Sequence, residues 1–146
     1  MIIKDLSTSG ALPSLEKMFL FAGQRQRIIA NNIANIDTPN YQSTDVDPRA
    51  FQKMLGDAVQ ARRSKNGGAF GELKLEQTSQ IQMHGDRLVL TPESPTGGVL
   101  AHDRNNRNIE QLMQQLVENA STFRVAADLM RKNQSQLKLA IAQRVI

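Results

Sequence analysis

The sequence predicts a mainly α protein. Long N- and C-terminal helices pair as an antiparallel coiled coil, with an irregular or weakly β middle segment between them. Three observations carry this expectation. Apolar residues recur at three- and four-residue steps near both ends, the spacing of a helical seam. No Gly or Pro interrupts residues 109–146. Between the two periodic stretches the composition shifts to Gly, Ser, Asn and Pro, which mark turns and linkers.

Residues 1–12 lack apolar periodicity and hold Ser7, Thr8, Ser9 and Gly10, so they read as a flexible leader. Pro13 suits the first turn of a helix, where its missing N–H costs nothing. A stripe follows at Leu15, Phe19, Ala22, Ile29, Ile33 and Ile36, with Gln26 filling the empty seam position. That helix runs to about Ile36, about 36 Å at 1.5 Å per residue. Pro39 ends it, because the residue before a proline is pushed out of the α region. Pro39 and Asn40 suit the centre of a type II turn, since Asn tolerates a positive φ. A weaker helical segment, Asp47 to Ala61, carries Phe51, Met54, Leu55, Ala58 and Val59 on one side.

The run from Arg62 to Gly71 has the composition of a flexible linker. Leu73–Met83 and Arg87–Leu90 have the length and residues of short strands, followed by a loop from Thr91 to Gly98. Asn108 with Gln111 three residues on reads as a capping box for the last helix. Its stripe is Ile109, Leu112, Leu116, Ala120, Phe123, Ala127, Met130, Gln134, Leu137 and Ile141. The step from Leu116 to Ala120 is one residue too long for a strict alternation, a stutter. The helix would be about 55 Å long. It outreaches its partner, so part of its seam is left for neighbouring subunits. The chain thus divides into a leader (1–12), a discontinuous helical core (13–61 and 104–146) and a flexible middle (62–103). Aromatic content is 4% with no Trp, which points to thin helix-to-helix seams more than to a thick globular core.

Composition excludes several chemistries. There is no Cys, so no disulfide, thiol nucleophile or Cys-ligated zinc exists. His84 and His102 are the only histidines and have no third ligand at useful spacing, so they read as solvent-exposed. Ser14, Ser64 and Ser94 sit in no nucleophile elbow. The Gly-Gly pairs lead into no phosphate-binding Gly-Lys-Ser run. No cofactor is expected and no enzyme. The net charge is +4, spread along the chain. The basic runs Arg25-Gln26-Arg27, Arg62-Arg63 and Arg131-Lys132 lack interleaved aromatics, so they read as solvated faces or subunit contacts, not as nucleic-acid platforms. A basic helical nucleic-acid-binding module is the rival on charge alone. No apolar run reaches the roughly 20 residues of a membrane span, and no Sec-type signal pattern opens the chain.

One segment is distinctive. Ala30-Asn31-Asn32-Ile33-Ala34-Asn35-Ile36-Asp37-Thr38-Pro39-Asn40-Tyr41 resembles the N-terminal signature of the bacterial flagellar axial proteins, the rod and hook subunits. Asn40 stands where that family usually has Gly, and Asn is the commonest substitute at positive φ. Asp45-Val46-Asp47, the short middle and the stretch Asp103–Ile141 are similar to its small proximal-rod members; another small rod subunit is the alternative. Arg104, Arg107 and Asn108 depart from the family's usual run before the last helix. The resemblance implies a structural rod subunit that self-associates through its terminal helices and transmits torque. It implies partners among other rod proteins and the adaptor joining rod to membrane ring. It implies a rod location within the periplasm, reached by flagellar type III export without a cleaved signal. Asn31, Asn32, Ala34, Asn35, Thr38, Pro39 and Tyr41 become an assembly motif, whose Asn amides bond across packed subunits. Phe51 and Leu55 fit the pattern of an early export segment, which an ordinary amphipathic helical turn also produces.

Overall fold

The computed structural model describes residues 10–67, 71–85, 87–94 and 109–143. Among the described residues there are three helices and one hairpin: α1 (Leu12–Ala34), α2 (Pro48–Asn66), β1 (Ile81–His84), β2 (Arg87–Leu90) and α3 (Ile109–Gln143). The architecture is mainly α, as expected. The expected capping residue Asn108 and most of the leader lie outside the described residues.

Helix α1 is central because it is buried on two sides. One side carries Phe19, Ala22 and Gln26 towards α3. Phe19 stacks on Phe123 with centroids 4.4 Å apart, and the Asn119 amide donates to the Ala22 carbonyl and to Gln26 Oε1. Rising numbers in α1 meet falling numbers in α3, so the two helices run antiparallel. The other side is a row at Pro13, Lys17, Phe21, Arg25 and Ile29, all buried. The steps of four place these residues along one face. Lys17 and Arg25 conceal this second row from a hydrophobicity reading, because only their stems are apolar.

The second row packs on the middle of the chain. Phe21 stacks nearly parallel on Phe51, with centroids 3.9 Å apart. Around them Val46, Met54, Leu55, Ala58, Leu73, Ile81 and Leu88 complete the buried core. The expected thin seams are therefore joined by a true core, and the middle segment builds it. Asp47 caps α2 by accepting from the Arg49 N–H at 2.8 Å and Pro48 fills its first turn. The helix does not stop at Ala61: it continues to Asn66 and closes on Gly67 at φ 64°. The linker composition from Arg62 misleads because Arg, Ser and Lys are tolerable on an exposed helix face. Glycine, not charge, marks the end.

The hairpin pairs Ile81 with Leu90, Met83 with Leu88 and His84 with Arg87. Strand alternation sends Ile81, Met83, Leu88 and Leu90 to the core face. Gly85 takes φ 62° at the turn, a conformation that costs Gly little. The first expected strand is shorter than Leu73–Met83; only Ile81–His84 is paired. Three further hydrogen bonds, one from the Gln24 side chain to the Leu88 carbonyl and a reciprocal pair between the Asp45 and Glu93 backbones, fasten the hairpin to α1 and the chain after it.

Helix α3 is 35 residues long, about 52 Å. Burial along it corrects the expected stripe. The inward residues are Leu112, Leu116, Asn119, Phe123, Ala126, Met130, Asn133 and Leu137, an unbroken alternation of four and three. The stutter disappears. Asn119, not Ala120, takes the seam; likewise Ala126 replaces Ala127 and Asn133 replaces Gln134. A polar residue at each of two seam positions is what made the apolar pattern slip by one. Ile109 and Ile141, assigned to the seam by periodicity, are instead 51% and 56% exposed.

Candidate functional site

The distinctive segment 30–41 forms the end of α1 and the turn after it. Helix α1 stops at Ala34 with Asn35 as its C-cap, whose N–H reaches the Asn31 carbonyl. The chain then turns through Thr38–Tyr41. The Tyr41 N–H donates to the Thr38 carbonyl at 3.2 Å, and Asn40 sits at φ 60°. This is the turn expected from Pro39-Asn40.

Three asparagines hold this turn. Asn32 is 2% exposed. Its Nδ2 donates to the Thr44 carbonyl at 2.6 Å, and its Oδ1 accepts from the Thr44 N–H at 3.1 Å. The amide thus pairs with a backbone residue as a strand neighbour would, using both its donor and its acceptor. Oδ1 also accepts from the Tyr41 hydroxyl at 2.9 Å. Asn31 Nδ2 donates to the same hydroxyl at 3.3 Å. Asn35 Nδ2 donates to the Asn31 carbonyl at 2.8 Å and to its Oδ1 at 3.1 Å. Thr38 is linked to Asn35 Oδ1 at 3.5 Å. Burial of the Tyr41 hydroxyl raises its pKa above the ordinary tyrosine value, since desolvation disfavours the phenolate.

Below the turn lies a second anchor that the sequence conceals. Arg25, 5% exposed, donates to both carboxylate oxygens of Asp45, from Nε at 2.9 Å and from Nη2 at 2.6 Å. Two parallel N–H···O bonds fix geometry as well as charge. Asp45 Oδ1 also accepts from the Val46 N–H at 2.8 Å, and the Asp45 backbone pairs with Glu93. Glu93 in turn accepts from Gln80 Nε2 at 3.0 Å, and Gln80 Oε1 accepts from the Asp47 N–H at 3.1 Å. Arg25 is therefore neither a solvated residue nor a free contact. Its signal was its place in the row Phe21, Arg25, Ile29. Asp45-Val46-Asp47 resolves into an ion-pair partner, a fully buried side chain and a helix cap.

The assembly-motif residues meet here, and their amides are engaged within the chain. Asn31, Ala34, Thr38 and Pro39 face solvent, Asn32 is buried, and Asn35 and Tyr41 are half-buried. Among the seam residues, Ile29 and Leu112 are buried; Leu15, Phe19, Ile33, Ile36, Leu116, Phe123, Met130 and Leu137 are half-buried. Phe51 and Leu55, the pair matching an export pattern, are 2% and 8% exposed in the core. His84 is exposed, and His102 lies outside the described residues. Among the described residues no group of three or more His, Asp or Glu side chains could hold a metal ion. No described helix is long and apolar enough to cross a membrane.

The turn is also where similarity to known proteins concentrates. Residues 22–42 match the family model described as "Flagella basal body rod protein". The chain is 47% identical over 47 residues to the flagellar basal body rod protein FlgB of Bacillus subtilis, covering 32% of this chain and 34% of that protein. Longer matches decide the matter. FlgB of Salmonella typhimurium is 30% identical over 121 residues, 79% of this chain and 78% of its own. FlgB of Yersinia enterocolitica is 30% identical over 105 residues, 68% and 74% respectively. The chain belongs to the FlgB family of flagellar basal body rod proteins. That family is structural and not enzymatic, in keeping with the absence of a catalytic constellation in the sequence. The family-model match falls on the second half of α1 and the Asn turn.

Proposed function

We propose that this chain is a structural subunit of the proximal flagellar rod, polymerising through α1 and α3 to transmit torque. The observation that supports it most is the outer surface of α3. Met113, Val117, Val125, Leu129 and Leu139 are 43–65% exposed there. Single exposed apolar residues are ordinary; a series along one 35-residue helix fits contacts with neighbours along an axis. A helical assembly needs heterologous contacts, in which one face of a subunit meets a different face of the next. The core and the Asn turn would act as the rigid mount from which α3 is presented.

Other rod proteins and the adaptor between rod and membrane ring are the proposed partners, in the periplasm. Export would use the flagellar type III route. The burial of Phe51 and Leu55 means that an export segment at this place has to be read before the core closes. The test is retention in basal bodies purified from the native cell, measured by mass spectrometry for the wild-type chain and for Val117→Asp/Val125→Asp. We expect stoichiometric retention of the wild type and its loss in the variant, with the circular dichroism of the purified variant unchanged. A variant retained at the wild-type level would remove α3's outer face from the assembly. A wild-type chain absent from basal bodies would remove the rod role altogether.

A further inference from the structure

We infer that Asn119 and Gln26 form a register lock that fixes which stretch of α3 lies against α1. Both are polar residues at seam positions otherwise held by apolar side chains. Asn119 is 3% exposed. Its single NH2 group donates to the Ala22 carbonyl at 2.8 Å and to Gln26 Oε1 at 2.7 Å. The two polar positions, one from each helix, face each other.

Apolar periodicity alone does not set the register. A three-four alternation repeats every seven residues, so a slide of one heptad presents much the same apolar surface. The lock breaks this degeneracy. A slide one way sets Asn119 between Ile29 and Ile33; the other way sets it between Leu15 and Phe19. Gln26 would then meet Ala126 or Leu112. Either slide takes the Gln26 acceptor away from Asn119 and sets the Gln26 amide against an apolar side chain, an arrangement that proteins avoid. A buried Asn that fixes the register of paired helices is a known use of such residues. The same slide would carry the C-terminal part of α3 by about 10 Å, at 1.5 Å per residue. The lock therefore also determines where residues 131–143 are presented.

The test uses spin labels in the full chain, which has no native Cys. Labels at Arg27→Cys and Lys132→Cys sit on exposed positions of the two helices, displaced from each other along the axis. Pulsed electron resonance reads the distance distribution. We expect one population for the parent and for Asn119→Gln, which keeps the donor. Asn119→Leu should add a second population displaced by about 10 Å, one heptad, with helical content maintained. A single population at the parent distance in Asn119→Leu would overturn the lock and leave Asn119 a simple packing residue. If Asn119→Leu fails to fold, Gln26→Leu/Asn119→Leu removes both amides of the lock and is read the same way: two populations support the lock and one overturns it.

Discussion

The two faces of α1 are built on different principles. Towards the middle of the chain, α1 offers Phe21 to a core of Phe51, Met54, Leu55, Ile81 and Leu88, large side chains that exclude water together. Towards α3, the buried partners are Leu112, Asn119 and Ala126, and Gly23 leaves room for the Phe123 ring, which a Cβ added there would meet at 3.4 Å. Apolar burial scales with area removed from water, so the first face supplies more of the folding free energy. The second face gains specificity from close backbone approach and one buried amide. The difference suggests a division of labour: a stable mount on one side of α1, and a helix held in place by specific contacts on the other.

The strongest way to break this distinction is to empty each side in turn. Phe51→Ala removes a buried aromatic from the core and should cost about 3–5 kcal/mol. Phe123 is only half-buried, so Phe123→Ala should cost less, roughly 1–3 kcal/mol. Urea unfolding followed by circular dichroism reads both. Equal losses would mean that the two faces of α1 form one undivided core. Next in size is Asp45→Ala. It leaves Arg25 buried without its partner, and breaking such a pair costs about 3 kcal/mol. The Asp45 side chain is 21% exposed, which places the expected loss at or below that figure. Because Asp45 also pairs with Glu93, this variant should loosen the hairpin and the Asn turn together. Hydrogen exchange at Thr44 and Thr91, whose N–H groups bond to Asn32 Oδ1 and the Gln80 carbonyl, would show it; unchanged protection at both would detach the ion pair from the mount.

What the sequence made legible follows from the same contrast. Helices α1 and α3 were readable because apolar spacing is a strong signal over long stretches, and the Pro39-Asn40 turn because few residues accept φ 60°. The second buried row of α1 was not readable: Lys17 and Arg25 bury their stems, and nothing in residue type says so. Asn119 was missed for the opposite reason, since a polar residue in a seam looks like surface and shifts the apparent stripe by one. The core of the middle segment was underestimated because Phe51, Leu73, Ile81 and Leu88 are far apart in sequence and come from a helix, an unpaired segment and two short strands. Their convergence is a property of topology. The Asn cluster was visible as a motif, but the partner of Asn32, the backbone of Thr44, is a non-local pairing that residue identities do not specify.

A smaller effect concerns the turn itself. The chain has one Tyr and no Trp, so its phenolate absorbance reports Tyr41 alone. Burial raises the folded-state pKa above 10.0, so the native protein should ionise later than the urea-unfolded chain. Stability supplied by the neutral hydroxyl is present below pH 10 and is lost as pH rises through the folded-state value. Tyr41→Phe should flatten that alkaline loss while weakening the Asn31–Asn32 contacts at neutral pH. Coincident native and unfolded titrations would show the hydroxyl to be fully hydrated, and the turn to be held by Asn32 and Thr44 alone.

The smallest expected change sharpens the contrast from the stabilising side. Gly56 lies inside α2 with no atom within 4 Å of the position a Cβ would take. Its helical conformation needs no positive φ. Gly56→Ala should therefore stabilise by about 0.5–1 kcal/mol, by restricting the unfolded chain and improving helix propensity. For a chain near this size that is a rise of about 1–4 °C in Tm. Calorimetry makes the measurement informative beyond its magnitude. If α2, the hairpin and α1 melt as one unit from which α3 separates earlier, only the later transition should move. A single transition that moves as a whole would instead join α3 to the core, and the mount and the helix it presents would be one cooperative body.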